Sequence, residues 1–193
     1  LDTTYFEIKI AAKGEFTIKW GDGVNETFTQ DTTDQKTYSH TYDTAEAHYI
    51  KILGRATEYN SGGNLMDFEG FNTLRTGELR GLIPAITFGT KTNIYKIYNS
   101  IAEVFPTLPD GTQPSFYSFC SGCTNLVGPI PSNLFEGLSG PTTRAYMFAS
   151  LFSGCSNLNG TIPETLFAEV SGQPTTGMFS FTLSTVTSIL LLI

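Results

Sequence analysis

Apolar and polar residues alternate along the first sixty positions, and the alternation predicts strands. Phe6, Ile8 and Ile10 are spaced by Glu7 and Lys9, and Phe16, Ile18 and Trp20 by Thr17 and Lys19. A period of two puts one face in a core and the other in water, as in a half-buried strand. Gly14 between the two runs predicts a turn, Gly21-Asp22-Gly23 closes the second, and Val24 to Phe28 opens a third strand. Beyond the polar loop from Asp31 to Asp34, the alternation resumes in Tyr38 to Tyr42 and His48 to Leu53. Strands this short and close together predict a sandwich of two antiparallel sheets.

Further along, the pattern becomes a repeat. Ser118-Phe-Cys-Ser-Gly-Cys-Thr-Asn-Leu-Val-Gly-Pro-Ile-Pro131 returns after 32 residues as Ser150-Leu-Phe-Ser-Gly-Cys-Ser-Asn-Leu-Asn-Gly-Thr-Ile-Pro163. A fixed period of this size predicts stacked units, each burying its apolar face against its neighbours. Tyr146, Met147, Ser150 and Leu151 fall at helical spacing. They predict a helix capped by Thr142-Thr143 and ended by Gly154. Asn157 to Ile162 reads as a short strand, and Pro163 opens a second short helix that runs to Val170. An earlier copy is degenerate: Ile101 to Phe105 overlays Ser132 to Phe135, but Phe105 to Cys123 spans 18 residues against 20 from Phe135 to Cys155. Asn60-Ser-Gly-Gly-Asn64 is the natural boundary between the two patterns. Residues 65–100 are hard to read, and Ile94 to Tyr98 fits a strand as well as a helix. The fold expected is therefore multi-domain: an all-β sandwich over residues 1–60, then an α/β repeat solenoid over 61–193. The first part of the solenoid is degenerate, and the clear repeats span about 118–180.

Two resemblances rest on these residues. Phe16-Thr-Ile-Lys-Trp-Gly-Asp-Gly23, Tyr38-Ser-His-Thr-Tyr42 and Tyr49-Ile-Lys-Ile52 with Gly54 resemble, in order and spacing, the PKD-like type of immunoglobulin-like domain. Ala45-Glu-Ala-His48 departs from that family, which has a Pro-Gly turn there. The combination Phe-Ser-Gly-Cys-Ser-Asn-Leu with Ile-Pro and Leu-Phe, over about residues 101–181, resembles the BspA-like leucine-rich repeats of bacterial surface proteins. The shorter phrase Asn-Leu-x-Gly-x-Ile-Pro is shared with plant-type leucine-rich repeats, whose period is shorter. Together the resemblances imply an exported protein of the cell surface, and they imply no activity.

Composition narrows the choice of partners. The net charge of −7 is shared between ten acids and six bases in residues 1–60 and eight acids and five bases thereafter. With no basic cluster, nucleic acid is not an expected partner. The apolar ending Ser188 to Ile193 is far shorter than the ~20 residues of a membrane helix, so membrane insertion is not expected either. A start at Leu1 suits a processed chain. Three cysteines cannot form a complete disulfide framework.

Candidate chemistry is sparse. Asp22, Asp31, Asp34 and Asp43 offer hard oxygens to calcium but lack its loop spacing, and turn aspartates more often bond their own backbone. His40 and His48 lie on strands without partnered Cys or Asp spacing and read as structural. Cys120 and Cys123 form a C-x-x-C pair, yet position 120 is matched by Phe152 in the next repeat, so an apolar slot is expected. Asn125 and Asn157 are expected to satisfy backbone groups along the stack. A third Phe-Ser-Gly-Cys is due near 184–187, where Ser184-Thr-Val-Thr187 stands instead, so copies could associate through the end of the array. No catalytic, cofactor-binding or metal-binding residue is assigned. The function expected is a non-catalytic, extracellular surface protein whose repeat face binds a host or matrix protein or a glycan. The alternatives are an accessory module of a secreted hydrolase and a purely structural spacer.

Overall fold

A computed structural model of the chain describes residues 4–60, 83–141, 146–171, 178–179 and 188–190. Strands β1 (Tyr5–Ile10) and β2 (Ala12–Lys19) follow the two alternating runs, and Ala11 alone carries the chain from one sheet to the other. The strands β3 (Asn25–Gln30), β4 (Lys36–Thr41), β5 (Lys51–Tyr59) and β6 (Ile86–Phe88) complete two antiparallel sheets, ordered β4-β1-β6 and β3-β2-β5. Their apolar faces meet: Phe6, Ile8 and Ile10 from one sheet and Phe16 and Ile18 from the other are almost wholly buried in one core with Trp20. Gly14 is not the expected turn. It lies inside β2, where the pairing with β5 shifts register by a bulge, because the chain has already changed sheets at Ala11.

The expected multi-domain organisation and the α/β leucine-rich-repeat solenoid are both overturned. The described residues contain no α-helix, only a 3-10 turn at Lys91–Asn93. Strand β6 lies beyond the expected boundary and pairs with β1, so the first sheet is completed by residues from the second half. Residues 61–64 of that boundary fall outside the described residues, as do the Thr142-Thr143 cap and Ser184 to Thr187. One backbone ladder then crosses the molecule. Ala11 N–H donates to Ala85 O (2.9 Å), Ala85 N–H to Ser115 O (2.7 Å), Phe116 N–H to Met147 O (2.8 Å) and Phe148 N–H to Met178 O (3.0 Å). The core is continuous as well. Phe16 of β2 stacks on Phe105 at 5.7 Å, Ala56 N–H donates to Val104 O, and Tyr59 Oη donates to Pro106 O at 2.7 Å.

The helices fail for a local reason. An α-helix needs each N–H for the carbonyl four residues back and φ negative throughout. Here Phe116, Ser118, Cys120 and Gly122 give their N–H groups to Met147, Ala149, Leu151 and Ser153 of the next copy. The intervening Phe119, Ser121 and Cys123 close tight turns onto Phe116, Ser118 and Cys120. Ser118 and Ser150 both sit at φ 54°, which interrupts any right-handed helix. Each copy is thus a coil of successive turns bonded to the copy above it. Two short parallel pairs join the same stack. Strand β7 (Gly140–Pro141) pairs with β9 (Val170–Ser171), and β8 (Asn159–Thr161) with β10 (Ser188–Leu190). In place of Glu164 to Val170 as a helix, residues 164–169 form turns leading into β9.

Equivalent side chains lie one above another. Phe116, Phe148 and Phe179 stack nearly parallel at 6.1 and 5.6 Å, and Phe135 stacks on Phe167 at 5.5 Å. Asn125 Nδ2 donates to Thr92 O and Asn157 Nδ2 to Thr124 O, at 2.9 and 2.8 Å. Those asparagines satisfy carbonyls that a turn leaves unpaired.

Candidate functional site: a tyrosine-rimmed cleft

Where the second sheet meets the segment after the 3-10 turn, a cleft of about 650 Å³ opens. Its size lies within the range of small-molecule sites. Phe6, Ile8, Phe88, Phe119 and Leu134 form an apolar floor. One wall is the run from Ala47 into β5 as far as Gly54, and the other is the run from Asn93 to Val104. Neither Ile94 nor Tyr98 belongs to a strand or a helix; this stretch is irregular because its ends are held from outside. Asn93 Nδ2 donates to Tyr5 O at 3.3 Å, Val127 N–H to Tyr95 O at 2.9 Å, and Ile101 N–H to Leu134 O at 2.9 Å. Ser100 Oγ donates to Glu136 O at 2.7 Å. With both ends fixed, the segment presents Tyr95 and Tyr98 outward.

Three tyrosines rim the opening. Tyr49 is 57% exposed, Tyr98 55% and Tyr95 39%, while the other aromatic rings among the described residues are mostly buried. The Tyr49 and Tyr98 rings approach to 5.4 Å across the cleft, tilted by 38°. Their phenol oxygens, and that of Tyr95, make no hydrogen bond among the described residues. Lys51 and Lys96 stand at the same rim, both exposed and without an ion-pair partner among the described residues, and Glu103 is the acid that shares the lining. His48 lines the cleft too, and its Nε2 is buried without a partner. Such a buried, unpaired polar atom is rare in a folded core.

Behind the cleft, the histidines and the Gly-Asp-Gly turn are engaged in structure. His40 stacks on Trp20 at 5.1 Å and bonds Asp22 Oδ2 through Nε2 at 2.7 Å. Tyr42 stacks on His48 at 3.8 Å and donates its hydroxyl to Trp20 O at 2.9 Å. Trp20 Nε1 donates to Glu26 at 2.6 Å. Burial, and then the nearby Asp22 charge, push the Tyr42 phenol up to about 12. The side-chain bond from His40, reinforced by the N–H of Val24, holds the Asp22 carboxyl below its usual value of 3.8. A carboxylate with a lowered folded value stabilises the fold above its unfolded value, and the effect is lost as pH falls through the folded one. Asp22→Asn is therefore expected to lower Tm at about pH 6 and to matter progressively less below about pH 4, as thermal melts of both proteins across that range will show.

The other candidates are placed apart. Asp31, Asp34 and Asp43 do not gather around Asp22, and no cluster of three His, Cys, Asp or Glu with metal-holding geometry occurs among the described residues. Cys120, Cys123 and Cys155 are free thiols buried in the stack, and Cys155 Sγ donates to Cys120 O. Burial, helped by the neighbouring Cys123, pushes the Cys155 thiol up to about 12 and the Cys120 thiol well above its usual value, which leaves both poor nucleophiles. The repeats thus carry packing. The cleft draws its rim from residues 49–51 and 95–98; Tyr49-Ile-Lys-Ile52 stood out in the sequence only as a strand of the PKD-like resemblance, and Ile94-Tyr-Lys-Ile-Tyr98 only as an ambiguous run with two tyrosines.

No protein-family model, curated protein or solved structure matches this chain.

Proposed function

We propose that the protein is a non-catalytic binding module of the extracellular cell surface, and that it holds its ligand, a protein or a glycan, in the tyrosine-rimmed cleft. The observation that supports this reading is the convergence of three exposed tyrosines with free hydroxyls on one apolar-floored opening. Exposed aromatic rings cost free energy in water, and a group of them around a concavity marks a recognition surface. Tyrosine suits such a rim because it offers a large rigid face with little conformational entropy to lose. The histidines and buried thiols already have structural roles, which leaves no assembled nucleophile and base among the described residues to support a catalytic reading. No helix among the described residues is long and apolar enough to cross a membrane.

The test is a screen of the full chain against arrays of glycans and matrix proteins, with Tyr49→Ala/Tyr98→Ala as the comparison. Both side chains are exposed, so the variant is expected to fold normally and to lose saturable binding. Binding that survives the double change would move the site elsewhere, and a chain that binds nothing saturably is a spacer.

A further inference from the structure

The groups at the rim also describe the ligand. We propose that the cleft takes an acidic glycan, a chain of sugar rings bearing carboxylates of the hexuronate type; this rests on the cleft being the binding site.

The tyrosine faces point to sugar rings. A pyranose presents a face of C–H bonds with hydroxyls at its edge, and an aromatic face carries negative potential that attracts such C–H groups. Tyr49 and Tyr98 pack against each other with centroids 5.4 Å apart while both stay more than half exposed, so they form one aromatic platform whose phenol oxygens, free of internal partners, lie ready for the hydroxyls at the ring edge. The exposed Asn99 amide at the margin of the cleft is a further hydrogen-bonding position. A purely apolar ligand would leave all of these unpaired.

The charges point to carboxylates. In a chain of net charge −7, two lysines without acidic partners flank the same opening, against the single acid Glu103. Lys51 comes from the β5 wall and Lys96 from the opposite wall, between Tyr95 and Tyr98. Two cations on opposite walls of one opening both favour an anion there, and a carboxylate that reaches either ammonium gains a charge-assisted hydrogen bond. An acidic peptide shares the charge but has no flat C–H face to set against the tyrosines.

Calorimetry on the full chain with three probes tests this. The probes are a panel of hexuronate oligomers, the same oligomers with their carboxyls reduced to alcohols, and polyglutamate. Saturable binding to a hexuronate oligomer is expected, weakened about tenfold or more by carboxyl reduction and by Lys51→Gln/Lys96→Gln. Binding should also weaken with added salt. Equal affinity for acidic and reduced oligomers, tight binding of polyglutamate, or no binding to any hexuronate would each overturn the inference. If another ligand still binds and Tyr49→Ala/Tyr98→Ala abolishes that binding, the cleft remains the site and only the ligand class is wrong. If no binding depends on those tyrosines, the cleft itself is not the site.

Discussion

Phe105→Ala is expected to destabilise the entire chain by about 3–5 kcal/mol, and to do so in one transition rather than two. Phe105 is fully buried, with its ring stacked on the equally buried Phe16 at 5.7 Å. Phe16 belongs to β2 and Phe105 to the segment that leads into the coils, so the pair is shared by both halves. Truncating the ring leaves a cavity that neither a sheet nor a hydrogen-bonded coil can collapse to fill, which places the loss at the upper end for a core residue. Two native probes can follow unfolding separately. The only tryptophan, Trp20, is in the sheet half, and all three thiols, Cys120, Cys123 and Cys155, are in the coils. Tryptophan fluorescence and thiol accessibility should give the same midpoint in denaturant, shifted together by the substitution. Two separated midpoints would restore the picture of independent domains.

Gly54→Ala is the second large effect expected. Gly54 holds φ at +114°, a region that L-residues rarely occupy, and a methyl group there would collide with the carbonyl oxygen of Glu15 on the paired strand. The backbone conformation alone accounts for about 1–3 kcal/mol. The collision adds to this by prising β5 from β2, since the obstacle is main chain and not a side chain that can swing away. Gly111→Ala is the matching control: its φ is +83°, but nothing lies within 4 Å of the added carbon. The fall in Tm should be clearly larger at Gly54, where both strain and collision apply. An equal fall would show that the strands separate without penalty. Gly54 also lines the cleft, so ligand affinity should drop with stability there and remain unchanged at Gly111.

The sheets were legible in the sequence because alternation has one physical meaning. Phe6, Ile8 and Ile10 can share a buried face only in an extended chain, and the bulge at Gly14 was hidden because a glycine serves bulges and turns alike. The coils were half legible. The 32-residue period correctly placed Asn125 and Asn157 one above the other, since stacking follows from repetition itself. The helix within each unit was misread because Tyr146, Met147, Ser150 and Leu151 recur at a spacing that a run of tight turns matches as well as a helix does. Periodicity records which residues are buried, not whether their amides bond within the coil or to the next one. The division into domains failed at β6, whose three residues sit in the stretch that showed no pattern. As a cleft it was not legible, because Tyr49 and Tyr98 come together only in the folded chain, even though the sequence shows both tyrosine runs.

The ladder of amides from one coil to the next has an evolutionary consequence. Every residue that forms the cleft lies before Ser150, and the unit that begins there repeats the tight-turn hydrogen bonds of the unit before it. Duplicating that unit adds a rung whose amides find ready partners on both sides, without touching Tyr49, Tyr98, Lys51 or Lys96. The length of the stack and the chemistry of the rim are therefore separately heritable: recombination between copies alters the number of coils, and point substitution alters the groups at the rim.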